Sequence, residues 1–397
     1  MTLLSVVLLF SRIGSSQQVQ CVEYPRSSDS VVSVQAIIRL GAMSPVEEAE
    51  ARVLCETFRK GTEEYSGEQV LSYGAQGGAP VRFTFMPDHI RISILMPSGG
   101  LGVGLDLISA LIQRPRLPDD AIRTEIEVIE RESPDIWTLA KFPYRLTVKG
   151  ITPTKVRNFA KYVLRPENIV ICIGGAIQPG EGESSVRSHF SQWKLGIPGN
   201  KQDSQGEIIR IDTSKFRPAI YNFIAKDESP EPRSVLTKLV ALTQIGFGKQ
   251  SSLFRIVREK LGISYQQDAF LWPSPTGFKA RFIFFTTQKV SEADIRTALL
   301  GDINIWTESD LERARRLLIA SFEGAIPFGP MWITRTGQPS NSLEDQTFLR
   351  GYWLMKFGQT YSLETNTSEI EKVTLPSIKK IAADIVTNSK LTMTVGD

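Results

Sequence analysis

Apolar residues recur with two different periods along the chain, and the order of those periods lays out its elements. VVSVQAIIRL (31–40) is β-branched and apolar, which predicts a strand. VRFTF and IRISILM, around 82–86 and 90–96, alternate with period two on either side of MPDH, which predicts a hairpin. Helical spacing takes over between such runs. ARVLCETFRKGT (51–62) reads as one helix ending at Gly61, and GLDLISALIQR (104–114) as an amphipathic one. DDAIRTEIEVIERE (119–132) and TPTKVRNFAKYVL (152–164) are helices opening on Asp and Thr caps. NIVICIGG then closes this half as a buried strand.

The pattern breaks over LGIPGNKQDSQGE (195–207), which is rich in Gly, Gln, Asn and Asp and has no apolar period. It then starts again. AIYNFIAKD (219–227) and FKARFIFFTT (278–287) predict strands, and EPRSVLTKLVALTQIGFG (231–248) a helix. KVSEADIRTALLGD and TESDLERARRLLIASFEG predict two more helices. ITPTKVRNFAKYVLRPENIVICIGG and VTLPSIKKIAADIVTNSKLTMTVGD each run Thr, helix, strand and Gly, so the two halves end alike. We therefore expect an α+β chain of two homologous domains, 18–195 and 207–397, joined by a linker at 196–206. Each would be a mostly antiparallel sheet covered by helices on one face, and the pair could face each other as a clamshell.

Composition adds mainly exclusions. Over 397 residues the chain is 41% apolar and 22% charged, with a net charge of +3 and no block of like charges, so nothing points to nucleic acid or a membrane surface. Cys21, Cys55 and Cys172 are too few and too scattered for a disulfide framework or a C-x-x-C metal site. The two histidines, His89 in the MPDH turn and His189 among polar residues of a helix, both read as solvent-facing. The apolar run Leu3–Phe10 is too short to span a bilayer. It is similar to the core of a secretory signal but lacks the basic leader, so residues 1–17 read as a possible targeting segment. Export to a bacterial envelope and a cytoplasmic location both remain open.

The stretch Arg258-Glu259-Lys260-Leu261-Gly262-Ile263-Ser264-Tyr265 places an arginine seven residues before a tyrosine, with a glycine that permits a turn between them. This stretch and the helix ending Lys60-Gly61-Thr62 resemble the pitrilysin/insulinase family of zinc peptidases, in the short-chain branch that includes the mitochondrial processing peptidase. The resemblance covers nearly the whole chain from about residue 18. Family members carry H-x-x-E-H on the first helix, with a third ligand, a glutamate, some seventy-odd residues on. Here those positions fall on Arg52, Cys55 and Glu56, and the later helix keeps Glu125 and Glu132, the latter at the distal-ligand position.

Chemistry decides what the exchange means. Two histidines at i and i+4 would offer two imidazole nitrogens to one zinc. Arg52 brings a permanent cation and no lone pair. Cys55 puts a thiol, with a reference pKa of about 8.5, where the family's carboxylate base would stand. Arg52 and Glu56 are spaced to pair along the helix for a few tenths of a kcal/mol. Arg258 and Tyr265, by contrast, match the family's R-E-K-x-G-x-x-Y at each fixed letter, and the resemblance implies that they donate to carbonyls of an extended peptide or to an oxyanion.

The resemblance implies a non-catalytic partner subunit, half of a clamshell. It would bind no cofactor itself and would close over a homologous subunit that carries H-x-x-E-H and holds the zinc, forming a heterodimer around extended peptide substrates. Gly74 and Gly77–Gly78 fall where the family has a glycine-rich approach to a substrate-binding edge strand. Two other readings stay open: a structural or assembly protein that kept the fold without proteolysis, and an active peptidase with an unusual metal set drawn from Cys55, Glu56 and Glu132.

Overall fold

The computed structural model describes residues 18–76, 80–131, 148, 150–193, 219–225, 231–288, 290–323 and 342–395. The targeting-like segment, the linker, Gly77–Gly78 and Glu132 lie outside the described residues.

Two sheets organise the chain. The first contains β1 (Gln20–Pro25), β2 (Val31–Arg39), β3 (Arg82–Met86), β4 (His89–Pro97) and β5 (Ile169–Gly175), in the order β1-β5-β2-β4-β3. β1 and β5 pair in parallel and the other neighbours are antiparallel. The second contains β6 (Ala219–Ile224), β7 (Gln267–Ser274), β8 (Gly277–Thr286) and β9 (Lys390–Val395), in the order β7-β8-β6-β9, antiparallel throughout. The path β3-β4-β2-β5 of one sheet is thus the path β7-β8-β6-β9 of the other. The similar endings of the two halves correspond to a helix followed by a central or edge strand of each sheet.

In the first half the helices are α1 (Pro45–Thr57), α2 (Gly67–Gln76), α3 (Leu101–Gln113), α4 (Asp119–Arg131), α5 (Pro153–Val163) and α6 (Glu181–Phe190). In the second they are α7 (Pro232–Gly246), α8 (Glu292–Asn304), α9 (Glu308–Phe322), α10 (Leu343–Phe357), α11 (Leu363–Glu371) and α12 (Leu375–Asn388). Their starts are fixed by short polar side chains that accept from free backbone N–H groups. Ser44 and Glu47 form a capping box on α1, Thr307 and Asp310 another on α9, and Thr152 caps α5. The helix read from Ala51 therefore begins a turn and a half earlier. It passes through a 3-10 turn, Phe58–Lys60, and stops at Gly61, whose φ of 93° suits glycine.

The first sheet is covered on both sides. Val32, Val34, Ala36 and Ile38 of β2 pack into the core shared with α1, α3 and α5, while Ile37, with Val170 and Cys172 of β5, joins the core of the second half. The second half delivers α10 onto this other face. Gly351 makes the fit close, because a Cβ there would fall on Cys172 Sγ. On that face Ser33, Gln35 and Arg39 alternate with Val31 and Ile37, and Gln35 and Arg39 donate to carbonyls of α10.

Polar groups line the same seam. Asp88, in the β3–β4 turn, is buried and accepts from Tyr352 (2.9 Å) and from Lys356 (2.7 Å) of α10. Glu344 accepts from Ser93 Oγ (2.5 Å) and pairs with Arg82 (3.0 Å), and the Arg91 guanidinium lies 4.3 Å from the Phe348 ring centre. His89 corrects its solvent-facing reading: it is fully buried between the Phe348 and Tyr352 rings, with Nδ1 2.7 Å from Asp88 Oδ1. His189 is half-buried on α6, with its two ring nitrogens on Ser185 O and Asp106 Oδ1.

Candidate functional site

α1 and α4 pack together, so the chain does bring the family's metal-helix positions near Glu125. What they present is not a ligand set. Cys55 is fully buried in the core beside Leu54 and Phe58. Glu56 pairs with Arg59 at 3.0 Å. Glu125 lies 3.9 Å from the Lys60 ammonium. Both described carboxylates therefore already face a cation, and Arg52, half-buried, adds a third positive group to the same helix region. A divalent ion here would compete with those cations and would find no imidazole. The residues present do not fit a zinc ion. Among the described residues no group of three His, Cys, Asp or Glu side chains is placed to hold a metal.

Gly74 lies inside α2, not in a glycine-rich approach to β3. The approach residues Gly77 and Gly78 lie outside the described residues.

The second region is built on a π-helical segment, Phe254–Lys260, between α7 and β7. Ile256 and Val257 are buried and anchor it, and Leu261 N–H donates to Ile256 O at 2.9 Å, the i to i+5 bond of a π turn. Arg255 is tied down by Asp302, at 2.9 and 2.7 Å. Arg258, three residues on, is exposed. Gly262 follows with φ 62°, a left-handed conformation that reverses the chain. Tyr265 then stands 79% exposed, with its ring centre 5.2 Å from Arg258 Cζ. The Phe254 ring centre lies 4.8 Å from the same carbon.

Arg258 and Tyr265 are thus neighbours in space, and the turn at Gly262 makes them so. Contact with an aromatic face uses the π system of the guanidinium and leaves its N–H groups available. Among the described residues, neither those N–H groups nor the Tyr265 hydroxyl meets an acceptor. The pair is an exposed set of donors beside an aromatic surface, two residues before β7. Phe254 is the member that motif reading passes over, although it stands at i−4 from Arg258.

The model of the peptidase M16 inactive domain matches residues 150–318, a stretch that contains Phe254, Arg258 and Tyr265. Residues 150–318 are thus similar to a peptidase M16 inactive domain. That match agrees with the resemblance to the pitrilysin/insulinase peptidases and with the expectation that the chain does not catalyse by itself. Among solved structures, a protease from Helicobacter pylori is similar at a TM-score of 0.75 and 14% identity, over 95% of this chain and 97% of that one. A peptidase M16 inactive domain from Pseudomonas fluorescens gives 0.74 at 14% identity, over 95% of each chain. The first half of the periplasmic protease PqqL from Escherichia coli gives 0.62 at 14% identity, over 96% and 91%. At these identities the likeness is one of fold, and it extends beyond the matched stretch to nearly the whole chain. A search of the curated proteins finds no match. No described helix is long and apolar enough to cross a membrane.

Proposed function

We propose that this chain is the non-catalytic subunit of a heterodimeric zinc peptidase, pairing with a homologous subunit that carries H-x-x-E-H. The observation that supports this reading best is the coexistence of metal-helix carboxylates already paired with Arg59 and Lys60 and an exposed Arg258–Tyr265 pair whose donors are uncommitted.

In this role Arg258 supplies a planar fork of N–H donors and Tyr265 one O–H. Both suit carbonyl oxygens of an extended peptide, and both gain strength as charge builds on a carbonyl oxygen under attack. Metal and general base belong to the other subunit, and this chain contributes grip and polarisation.

The test is reconstitution. The tagged chain is purified with whatever homologous H-x-x-E-H subunit binds it, and peptidase activity is measured for each component and for the complex. Activity is expected from the complex and not from this chain. Arg258→Ala or Tyr265→Phe should lower kcat/KM of the complex by about 10- to 100-fold, the loss expected of a charge-assisted hydrogen bond. A complex that keeps full activity with both residues changed would instead make this chain a structural or assembly subunit.

A further inference from the structure

We infer that Phe254 is a positioning residue: it holds the Arg258 guanidinium against Tyr265, and the π-helical turn exists to put it there. The inference rests on reading Arg258 and Tyr265 as the peptide contact, and adds a third residue with a different task.

Geometry carries it. A lone arginine on a surface helix samples many rotamers, so donors aimed at a peptide would lose freedom on binding. Arg258 instead has two rings near its terminal carbon, at 4.8 Å for Phe254 and 5.2 Å for Tyr265. The two rings are not equivalent. Tyr265 is 79% exposed and stands on the turn beyond Gly262. Phe254 is half-buried, on a turn fixed by buried Leu253, Ile256 and Val257, and its backbone N–H is held by Ser251 Oγ at 3.3 Å. Phe254 is therefore the anchored platform and Tyr265 the exposed one.

The wider π turn matters because it shifts the register within the segment. Arg255 points to Asp302 in the protein while Arg258 emerges outside over Phe254. Isolated π turns inside helical segments recur at functional sites. Here the turn separates an arginine used for structure from one left free to bind.

Two measurements test this on the full chain. The first is binding of fluorescein-labelled unfolded β-casein, followed by anisotropy, for the wild type, Arg258→Ala, Phe254→Leu and the double variant. Phe254→Leu should weaken binding by about 2- to 5-fold, the worth of an exposed cation–π contact, with no added loss in the Arg258→Ala background. Phe254→Tyr should restore wild-type affinity. The second is relaxation of the Arg258 Nε–Hε group by nuclear magnetic resonance, which needs no ligand. It should report an ordered side chain in the wild type and a mobile one in Phe254→Leu. Absent binding, or binding that survives Arg258→Ala, overturns the peptide-contact reading and this inference with it. Binding that falls with Arg258→Ala, together with equal losses from Phe254→Leu in both backgrounds or an unchanged Arg258 order, overturns the role of Phe254 alone.

Discussion

Lys356 Nζ lies 2.7 Å from Asp88 Oδ2, with both side chains buried, so an ion pair joins a turn of the first sheet to a helix supplied by the second half. A buried charge left alone costs far more than a surface one. Lys356→Met should therefore destabilise the protein by about 3–5 kcal/mol, while Asp88→Asn combined with Lys356→Met should recover much of that loss. Urea unfolding of the two variants and the wild type makes the comparison.

The same pair gives the protein an acid limit. Burial alone would raise the Asp88 carboxyl, but the Lys356 ammonium and His89 outweigh it and hold the group well below the usual carboxylate range. A carboxyl lowered on folding contributes stability above its unfolded value, and that contribution is lost as pH falls through the folded value. The unfolding free energy should decline steadily as the solution is acidified below about pH 4, near the unfolded carboxyl value. In Asp88→Asn/Lys356→Met that decline should be shallower.

Glu50 on α1 behaves in the opposite sense. Burial pushes its carboxyl up to about 7, with Glu47 adding to the rise and Lys155 opposing it. A carboxyl raised on folding favours the native state fully below its unfolded value of 4.5, and loses that contribution as pH rises through about 7. Stability should therefore sag between those limits. Glu50→Gln, which cannot ionise, should remove the sag and be the more stable protein at pH 8 in thermal melts.

How far the fold is legible in the sequence depends on the range of each interaction. β2 and the β3–β4 hairpin are legible because alternation or continuous apolarity is a local property of the strand. α10 gives no amphipathic signal because Phe348, Leu349, Tyr352, Trp353 and Met355 leave it apolar nearly all round, buried between the first sheet and the second half. The Asp88–His89 turn looks polar and exposed in sequence because its partners, Tyr352 and Lys356, lie in the other half of the chain. The Arg59–Glu56 pair is a local i, i+3 contact whose spacing is visible in the sequence. Arg258, Gly262 and Tyr265 are readable as a turn with its flanking side chains. Phe254 is not, because its meaning depends on a π register that sequence periodicity does not reveal.

Close approach at the seam gives a steric prediction. A Cβ on Gly351 would meet Cys172 Sγ and lie 3.2 Å from Ile37 Cδ1. Gly351→Ala should cost about 1–3 kcal/mol by overpacking, although alanine favours helix more than glycine does. Adding Cys172→Ala removes the sulfur and leaves its Cβ at 3.4 Å, an ordinary contact. The double variant should unfold at a higher denaturant concentration than Gly351→Ala alone. A double variant no better than the single would mean that the strain lies elsewhere in α10.

The Glu56–Arg59 and Lys60–Glu125 pairs make a prediction about zinc that separates this chain from a self-sufficient peptidase. A metal that binds only the folded state stabilises it in proportion to occupancy, and its removal by a chelator lowers the melting temperature. Glu56 and Glu125 are instead neutralised within the protein by Arg59 and Lys60, and Arg52 offers no lone pair. Purified chain should therefore hold zinc far below one equivalent by elemental analysis. Neither a molar equivalent of zinc nor an excess of EDTA should move its melting temperature, and Arg59→Ala should not create a zinc response, because imidazole ligands would still be missing. One zinc per chain, lost on Glu56→Ala or Glu125→Ala together with a fall in melting temperature, would return a metal to α1 and overturn the metal-free reading of this chain.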